Sequence, residues 1–427
     1  MNRETRRVAV VGANRIPFAR AGSAYAHASN QDMLTVALDG LAGRFALDGE
    51  RLGEVAGGAV LKHPRDRDLT REAVLGSRLA PETPAYDVQQ ACGTGLETVV
   101  LIANKIALGQ IDAGIAAGVD SASDAPISLN EDLRGILLDV NRARSMPERL
   151  RALARLRPRQ VVPETPRNEE PRTGLSMGEH TARMALDWGI GREEQDELAA
   201  RSHRNLAAAY DRGFFEDLVS PYLGLQRDEN LRPDSTPEKL AKLRPVFGTH
   251  DGDATMTAGN STPLSDGASA VLLASEDWAR ERGLPVLAYV AEAQTAAVDH
   301  VHGAEGLLMA PAYAMPRMLD RMGLGLEDFD LYEIHEAFAA QVLCTLKAWA
   351  DPVFCRERLG RDGPLGTIDP AKLNVNGGSL AAGHPFAATG GRIVGGLAKA
   401  LSERGSGRGV ISVCAAGGQG VVAALEK

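Results

Sequence analysis

A chain of 427 residues is too long for one small core and calls for two or three domains. Its 44% hydrophobic and 24% charged content is ordinary for a globular protein, and 4% aromatics beside 46 glycines favours closely packed α/β layers over an all-β sandwich. A net charge of −9 argues against nucleic acid as the main partner, and four cysteines without a CxxC pair argue against a zinc ribbon or a disulfide scaffold.

The chain opens on MNRETRR, with no apolar region before a strand-like run starts at Val8. Neither a cleavable signal nor a transit peptide is expected. No apolar run reaches the ~18 residues of a membrane helix, and a reducing cytoplasm is the expected compartment. Arg7–Val11 reads as a buried strand and Asp32–Phe45 as a helix. Ala56–Leu61 is a second strand, followed by a helix around Thr70–Leu79. Pro84–Gln89 leads as a strand into Cys92. Thr98–Leu108 reads as a buried helix stopped by Gly109, and Ile111–Ala117 as the next strand. Strand–helix alternation of this kind implies a parallel or mixed sheet with helices on its faces.

After Ser121 the pattern changes. Residues 131–160 carry eight arginines among spaced leucines, an amphipathic pattern with a strongly basic face. Four prolines make 158–171 a loop. Arg192–Arg212 has helical periodicity ended by Gly213. Asp228–Pro245 is polar and irregular, so 123–264 reads as an insertion. Strand signals return at Ala268–Ala274, Val286–Val290, Asp330–Ile334, Lys372–Val375, Gly409–Val413 and Gly420–Leu425. In each α/β stretch a strand and a glycine turn feed a helix with a reactive residue near its start, Cys92 in the first and His384 in the second. That suggests an internal duplication.

Four residues carry chemistry. Cys92, in VQQACGTGLETVV, sits where a strand turns into a helix. There the helix dipole and free N–H groups are expected to lower its pKa and to stabilise an oxyanion. His384, in AAGHPFAATGG, is placed as a general base. Cys414 ends the run GVISVC and enters AAGGQG. A second thiol suits proton transfer at a carbon beside a thioester. His335, in YEIHEAFAAQV, could hold a water or a carbonyl oxygen, with Glu336 orienting a neighbour or capping the helix. The bland alternatives are a buried structural thiol for each cysteine and a satisfied core position for each histidine. Cys344 and Cys355 are assigned to packing. His63, His180, His203, His250, His300 and His302 form no metal-ligand spacing. The glycine runs lack the endings of a Walker loop and the GxGxxG spacing of a dinucleotide fingerprint.

Together RIPF, CGTG, MTAGNSTPLSDGASA (256–270), HEAFAAQ (335–341), NVNGGSLAAGHPFAATGGR (374–392) and CAAGGQG (414–420) resemble the thiolase family over almost the whole chain. With TGLSMGEHTA and KLRPVF, they are most similar to the branch of 3-ketoacyl-CoA thiolase (acetyl-CoA C-acyltransferase) β subunits of fatty-acid-oxidation trifunctional enzymes. Two positions depart from the commoner family pattern: His335 stands for an asparagine that holds an oxyanion-hole water, and Ala416 for a glycine.

The resemblance implies an α/β thiolase fold: two duplicated mixed-sheet halves in a layered α-β-α-β-α core. The halves are 1–122 with 265–285, and 286–427, and the loop domain is 123–264. It implies cleavage of 3-oxoacyl-CoA by CoA through a Cys92 acyl-enzyme, in β-oxidation. His384 activates Cys92, and Cys414 protonates the leaving acetyl-CoA carbon. Oxyanions are held by His384 with a water on His335, and by the N–H groups of Cys92 and Ala416. Thr262 matches a serine that contacts pantetheine, and Met177 is expected to line the CoA channel. CoA is a co-substrate, and no metal or permanent cofactor is implied. A homo-oligomer, dimer or tetramer, is expected. The Arg-rich 131–160 segment is expected to dock a hydratase/dehydrogenase α subunit or an anionic membrane surface. The alternatives are a biosynthetic acetoacetyl-CoA thiolase and a non-catalytic CoA- or lipid-binding scaffold. Cys414 speaks against the related ketoacyl and hydroxymethylglutaryl-CoA synthases, which pair one cysteine with His-His or His-Glu.

Overall fold

The computed structural model describes residues 5–249 and 253–427, so His250 lies outside them. The chain begins with β1 (Val8–Arg15), β2 (Ala19–Arg20), α1 (Asn30–Arg44), β3 (Glu54–Gly57), α2 (Leu69–Gly76), β4 (Ala85–Asp87), α3 (Thr94–Ala107) and β5 (Ala113–Ser121). Five helices follow with no named strand among the described residues: α4 (Glu131–Arg142), α5 (Met146–Leu153), α6 (Met177–Asp187), α7 (Arg192–Asp211) and α8 (Pro237–Leu240). The sheet resumes with β6 (Ser265–Ser275), then α9 (Glu276–Glu281) and β7 (Ala288–Ala297). Next come α10 (Ala310–Met322), β8 (Leu331–Ile334), α11 (Ala339–Ala350) and α12 (Pro352–Leu359). The chain closes with α13 (Ser379–Ala382), α14 (Ala388–Arg404), β9 (Arg408–Ala415) and β10 (Gln419–Glu426).

The strands run in the order β4-β3-β5-β6-β1-β7-β10-β9-β8, with β2 beside β6. Pairing is parallel at β4–β3–β5 and β8–β9, and antiparallel elsewhere. The two halves meet where β1 pairs with β7 over a short seam, Val8↔Val290 to Val10↔Ala288. Strand sequences are apolar on both faces because both faces are covered. Along β6, Leu272 and Ala274 pack with α1 residues Leu34, Leu38 and Leu41, whereas Val271 and Leu273 face the centre. Along β10, Val421 and Ala423 face the centre, and Val422 joins Met315, Val342 and Trp349 of α10 and α11. The two-residue side-chain period of a strand produces this division.

The centre is filled by α3 and α14. Val99, Ile102 and Ile106 of α3 pack with Ile393, Val394 and Leu397 of α14, all essentially buried. Each such side chain contributes about 1.5–3 kcal/mol. The layers are therefore helix, half-sheet, central helices, half-sheet, helix. This is the layering that the sequence resemblance implies.

The helix start after Cys92 differs from expectation. α3 begins at Thr94, because Gly95 does not break the helix: it lets the helix approach α14. A Cβ on Gly95 would lie 2.2 Å from the Ala387 carbonyl oxygen, and one on Gly390 would lie 2.1 Å from Leu96 N. The expected strand at Lys372–Val375 does not form. Pro370 opens a 3₁₀ turn through Lys372, Asn374 takes φ +48°, and only Leu373 bridges to Tyr332. Within the polar stretch 228–245, Thr236 caps the single turn of α8.

Gly390→Ala is expected to destabilise the fold by about 3 kcal/mol, since its methyl meets backbone that cannot move aside. Gly396→Ala, on the same helix with no heavy atom within 4 Å of the added Cβ, should stabilise by about 0.5–1 kcal/mol. Urea unfolding checks both, and equal midpoints would contradict the packing described.

Candidate active site

Cys92 is delivered by a strained turn between β4 and α3. Ala91, the residue before it, has φ +46°, a left-handed conformation that a non-glycine residue holds only when its surroundings enforce it. The turn is closed by Gly93 N–H on the Gln90 carbonyl (2.9 Å) and Thr94 Oγ1 on the Ala91 carbonyl (2.7 Å). The backbone N–H of Ala416 is near enough to the Cys92 sulfur to favour its thiolate. Ala416 is absent from the residues with positive φ, so alanine can serve there. The expectation of a lowered thiol pKa is overturned. Burial pushes Cys92 up to about 12, and the N–H groups of Ala416 and Cys92 only partly offset it.

His384 precedes α14 by four residues. Its backbone N–H donates to Ser265 Oγ (3.2 Å), and its strand-like bridge to Leu264 ties the glycine turn to β6. Its Nδ1 lies 2.6 Å from Thr389 Oγ1, in the first turn of the helix. Its Nε2 is buried without a partner. Burial, then the Arg392 charge, lowers its pKa to about 3. The start of α14 is anchored by the buried Asp120 of β5. The Asp120 carboxylate accepts Ala387 N–H (2.9 Å) together with Val60 and Leu61 N–H, and burial raises it to about 7.

His335 follows β8, and its N–H donates to the Ser412 carbonyl at 2.8 Å. It is fully buried, its Nδ1 is 2.8 Å from Ser379 Oγ, and its Nε2 has no partner. The His335 and His384 rings are 4.1 Å apart between centroids. Burial, His384 and Arg392 hold His335 well below the ordinary histidine range. Glu336 orients a neighbouring loop. One oxygen accepts Asn374 Nδ2 (2.7 Å), and the other accepts Ser202 Oγ (2.7 Å) and Leu380 N–H (3.1 Å).

Cys414 lies near the end of β9, opposite Gly420 of β10. It is buried, and burial followed by the nearness of the Cys92 sulfur raises its pKa well above the thiol range. The fold thus gathers Cys92, His335, His384 and Cys414 from four separate segments. Cys344 and Cys355 are buried and point their thiols at helix carbonyls, consistent with packing. Among the described residues, the one three-donor group close enough to share a metal ion is Cys92, His335 and His384, within 4.8 Å of one another. Thiolate and imidazole would suit Zn²⁺, and a thiol beside an imidazole equally suits a nucleophile with its base.

Several contributors carried no sequence signal of their own. Glu170, from the inserted segment, accepts Gly417 N–H at 2.9 Å and so steadies the turn that aims Ala416. It lies 247 residues from its partner, too far for any local pattern. Thr389 and Ser379 lay inside the quoted glycine motif, where their spacing from His384 could have marked them.

A cavity of about 510 Å³ is lined by Arg20, His203, Arg232, Lys239, Ser261 and Leu380 among others, and by none of Cys92, His335, His384 and Cys414. Thr262 sits between two lining residues, Ser261 and Pro263, and spends its hydroxyl on the Ala337 carbonyl (2.9 Å). Met177 is not among the lining residues and instead packs against the outer core beneath α11.

Residues 8–277 match the family model described as thiolase, N-terminal domain, and residues 284–427 the one described as thiolase, C-terminal domain. A protein of Yersinia pestis (strain Pestoides F) named 3-ketoacyl-CoA thiolase is 41% identical over 432 aligned positions, covering 100% of this chain and 98% of its own. The crystal structure of the Bacillus anthracis acetyl-CoA acetyltransferase superposes with a TM-score of 0.82 at 29% identity, over 99% of each chain. Human mitochondrial 3-ketoacyl-CoA thiolase in complex with CoA gives 0.81 at 28%, over 99% of this chain and 98% of that one.

Both pKa shifts leave the Cys92 proton on sulfur and His384 neutral in the free enzyme. Alkylation of Cys92 by iodoacetamide should therefore keep rising from pH 6 to pH 9 without a plateau. A plateau beginning near neutral pH would reveal a preformed thiolate–imidazolium pair and contradict this electrostatic picture.

Proposed function

The chain belongs to the thiolase family, and we propose that it is a 3-ketoacyl-CoA thiolase acting through a Cys92 acyl-enzyme in fatty-acid β-oxidation. The observation that carries this is the convergence of two thiols and two imidazoles at the abutting starts of α3 and α14. One thiol serves as nucleophile. The second supplies what a simple cysteine hydrolase lacks, an acid for a carbon.

The steps are those that the family resemblance implies for these residues. The 3-keto carbon of a 3-oxoacyl-CoA meets Cys92 Sγ while His384 Nε2 takes the thiol proton. Oxygen charge at that carbon is held by His384 and by a water on His335. The C2–C3 bond breaks, its electron pair goes to C2, and Cys414 delivers the proton that makes acetyl-CoA. Its raised pKa keeps that proton in place until C2 needs it. The acyl group remains on Cys92, its thioester oxygen toward the N–H groups of Cys92 and Ala416. A second CoA gives its thiol proton to the Cys414 thiolate and attacks the thioester. Acyl-CoA departs, and His384 returns the proton to Cys92. Covalent catalysis divides a difficult C–C cleavage into two acyl transfers.

The 510 Å³ cavity supports the reading of CoA as co-substrate. Its basic residues Arg20, Arg232 and Lys239 suit the nucleotide phosphates. Residues 123–264, with Thr262 at their end, form the substrate loop domain between the half of 1–122 with 265–285 and the half of 286–427. Met177 contributes to that domain by packing. The molecule works as a homo-oligomer, and its four unpaired cysteines suit a reducing cytoplasm. Within the loop domain, α4 and α5 form a hairpin tied by an Arg155–Asp139 ion pair. The exposed Leu137, Leu150 and Leu153, with the surrounding arginines, make it a docking face for a hydratase/dehydrogenase subunit or an anionic bilayer.

Mass spectrometry of the protein with 3-oxoacyl-CoAs tests the function. An acyl adduct on Cys92 that disappears on adding CoA is expected, and no adduct at any chain length would overturn it. Arg232→Glu should raise the KM for CoA at least roughly tenfold, the loss of one charge-assisted contact, with kcat little changed. Replacing Arg149, Arg151 and Arg159 with Glu should abolish either liposome flotation or subunit pull-down. Unchanged binding in both assays rejects the docking face.

A further inference from the structure

Ser379 stands between Arg392 and His335. Its Oγ is 3.0 Å from Arg392 Nη2 and 2.8 Å from His335 Nδ1. Ser379 and His335 are both fully buried. A guanidinium has donors and no acceptor, so Arg392 must fill a lone pair of Ser379 Oγ. The serine still has its own proton to place. Among the described residues, His335 Nδ1 is the one acceptor within hydrogen-bond reach of that hydroxyl. A buried hydroxyl proton without an acceptor is disfavoured. The Arg392 cation also turns the Ser379 O–H dipole away from itself, toward His335.

We propose that Ser379, held by Arg392, is a positioning residue that fixes His335 as the Nε2–H tautomer, making it a permanent hydrogen-bond donor into the site. This deepens, and rests on, the reading of His335 as an oxyanion donor.

The neighbouring imidazole needs the opposite state. His384 must accept the Cys92 proton at Nε2, so its proton sits on Nδ1 and goes to Thr389 Oγ1, 2.6 Å away. Two rings 4.1 Å apart thus present unlike Nε2 atoms to one cavity, one bare and one protonated. Were His335 in the other tautomer, its bare lone pair would face the developing oxyanion, and only the N–H that His384 gains from Cys92 would remain to stabilise the charge. The hydroxyl partners, Ser379 and Thr389, are alike in kind. The difference comes from the guanidinium behind Ser379, which leaves that hydroxyl only its own proton to offer the ring.

The test uses the full-length protein labelled with ¹⁵N in histidine, with His335→Asn serving to assign the His335 signals. Near neutral pH, His335 should be protonated at Nε2 and bare at Nδ1. A proton on Nδ1 overturns the proposal outright, whether or not the protein proves to be a thiolase. Ser379→Ala should give a mixture of tautomers and lower kcat roughly 10- to 100-fold, with the KM for acyl-CoA little changed. In the His335→Asn background the same substitution should cost nothing further, because an amide has no tautomer to set. An equal loss in both backgrounds would assign Ser379 a merely structural role. Absence of thiolysis in the wild type, with the tautomer as stated, would remove the functional reading and leave the hydrogen-bond assignment standing.

Discussion

The structure depends on how closely the starts of α3 and α14 approach one another. Ordinary helices pack with side chains between them, at axis distances near 8–10 Å. Here Gly95 meets the Ala387 carbonyl, Gly390 meets the backbone of Leu96, and Gly118 of β5 also leaves room for Ala387. Backbone rather than side chain makes the contact. The residues just ahead of each helix, Cys92 and His384, are therefore carried to one point from opposite halves of the chain. Asp120 adds the clamp, joining the end of β5 to the start of α14 through Ala387 N–H. The two half-sheets serve mainly to hold the helix pair from both sides.

Burial then decides the chemistry. At an open helix start a thiol would be acidified by the dipole. Here desolvation is the larger effect, and it raises both cysteines while lowering both histidines. Each shift favours the neutral form, so the resting site carries no ion pair. Charge is created only when a carbonyl arrives to receive it, with N–H groups already in place. The same low dielectric that discourages a free thiolate strengthens those hydrogen bonds once an oxyanion forms.

Much of this was legible in the sequence, for definite reasons. Strands buried on both faces appear as continuous apolar runs, and β1, β5, β6, β9 and β10 were found that way. The glycine motifs marked Cys92, His384 and Cys414 because backbone proximity demands glycine at particular points. The helix expected from Thr98 begins at Thr94, one turn earlier, with Gly95 inside it. Pro311 and Pro316 hid α10, although the first lies in its opening turn, where proline is tolerated. The direction of the Cys92 shift was misjudged because a local motif reveals the dipole but not the depth of burial. Glu170 and Asp120 act across tertiary distances, and no local pattern announces them.

The central claim is a division of labour between two thiols, with Cys92 carrying the acyl group and Cys414 handling the proton at carbon. Acetyl-CoA in D₂O measures it directly, because exchange at its methyl carbon needs the acid/base thiol. The wild type should exchange deuterium into C2, followed by NMR. Cys414→Ala should abolish that exchange while Cys92 still takes up acetyl from acetyl-CoA. Exchange that persists in Cys414→Ala would contradict the account.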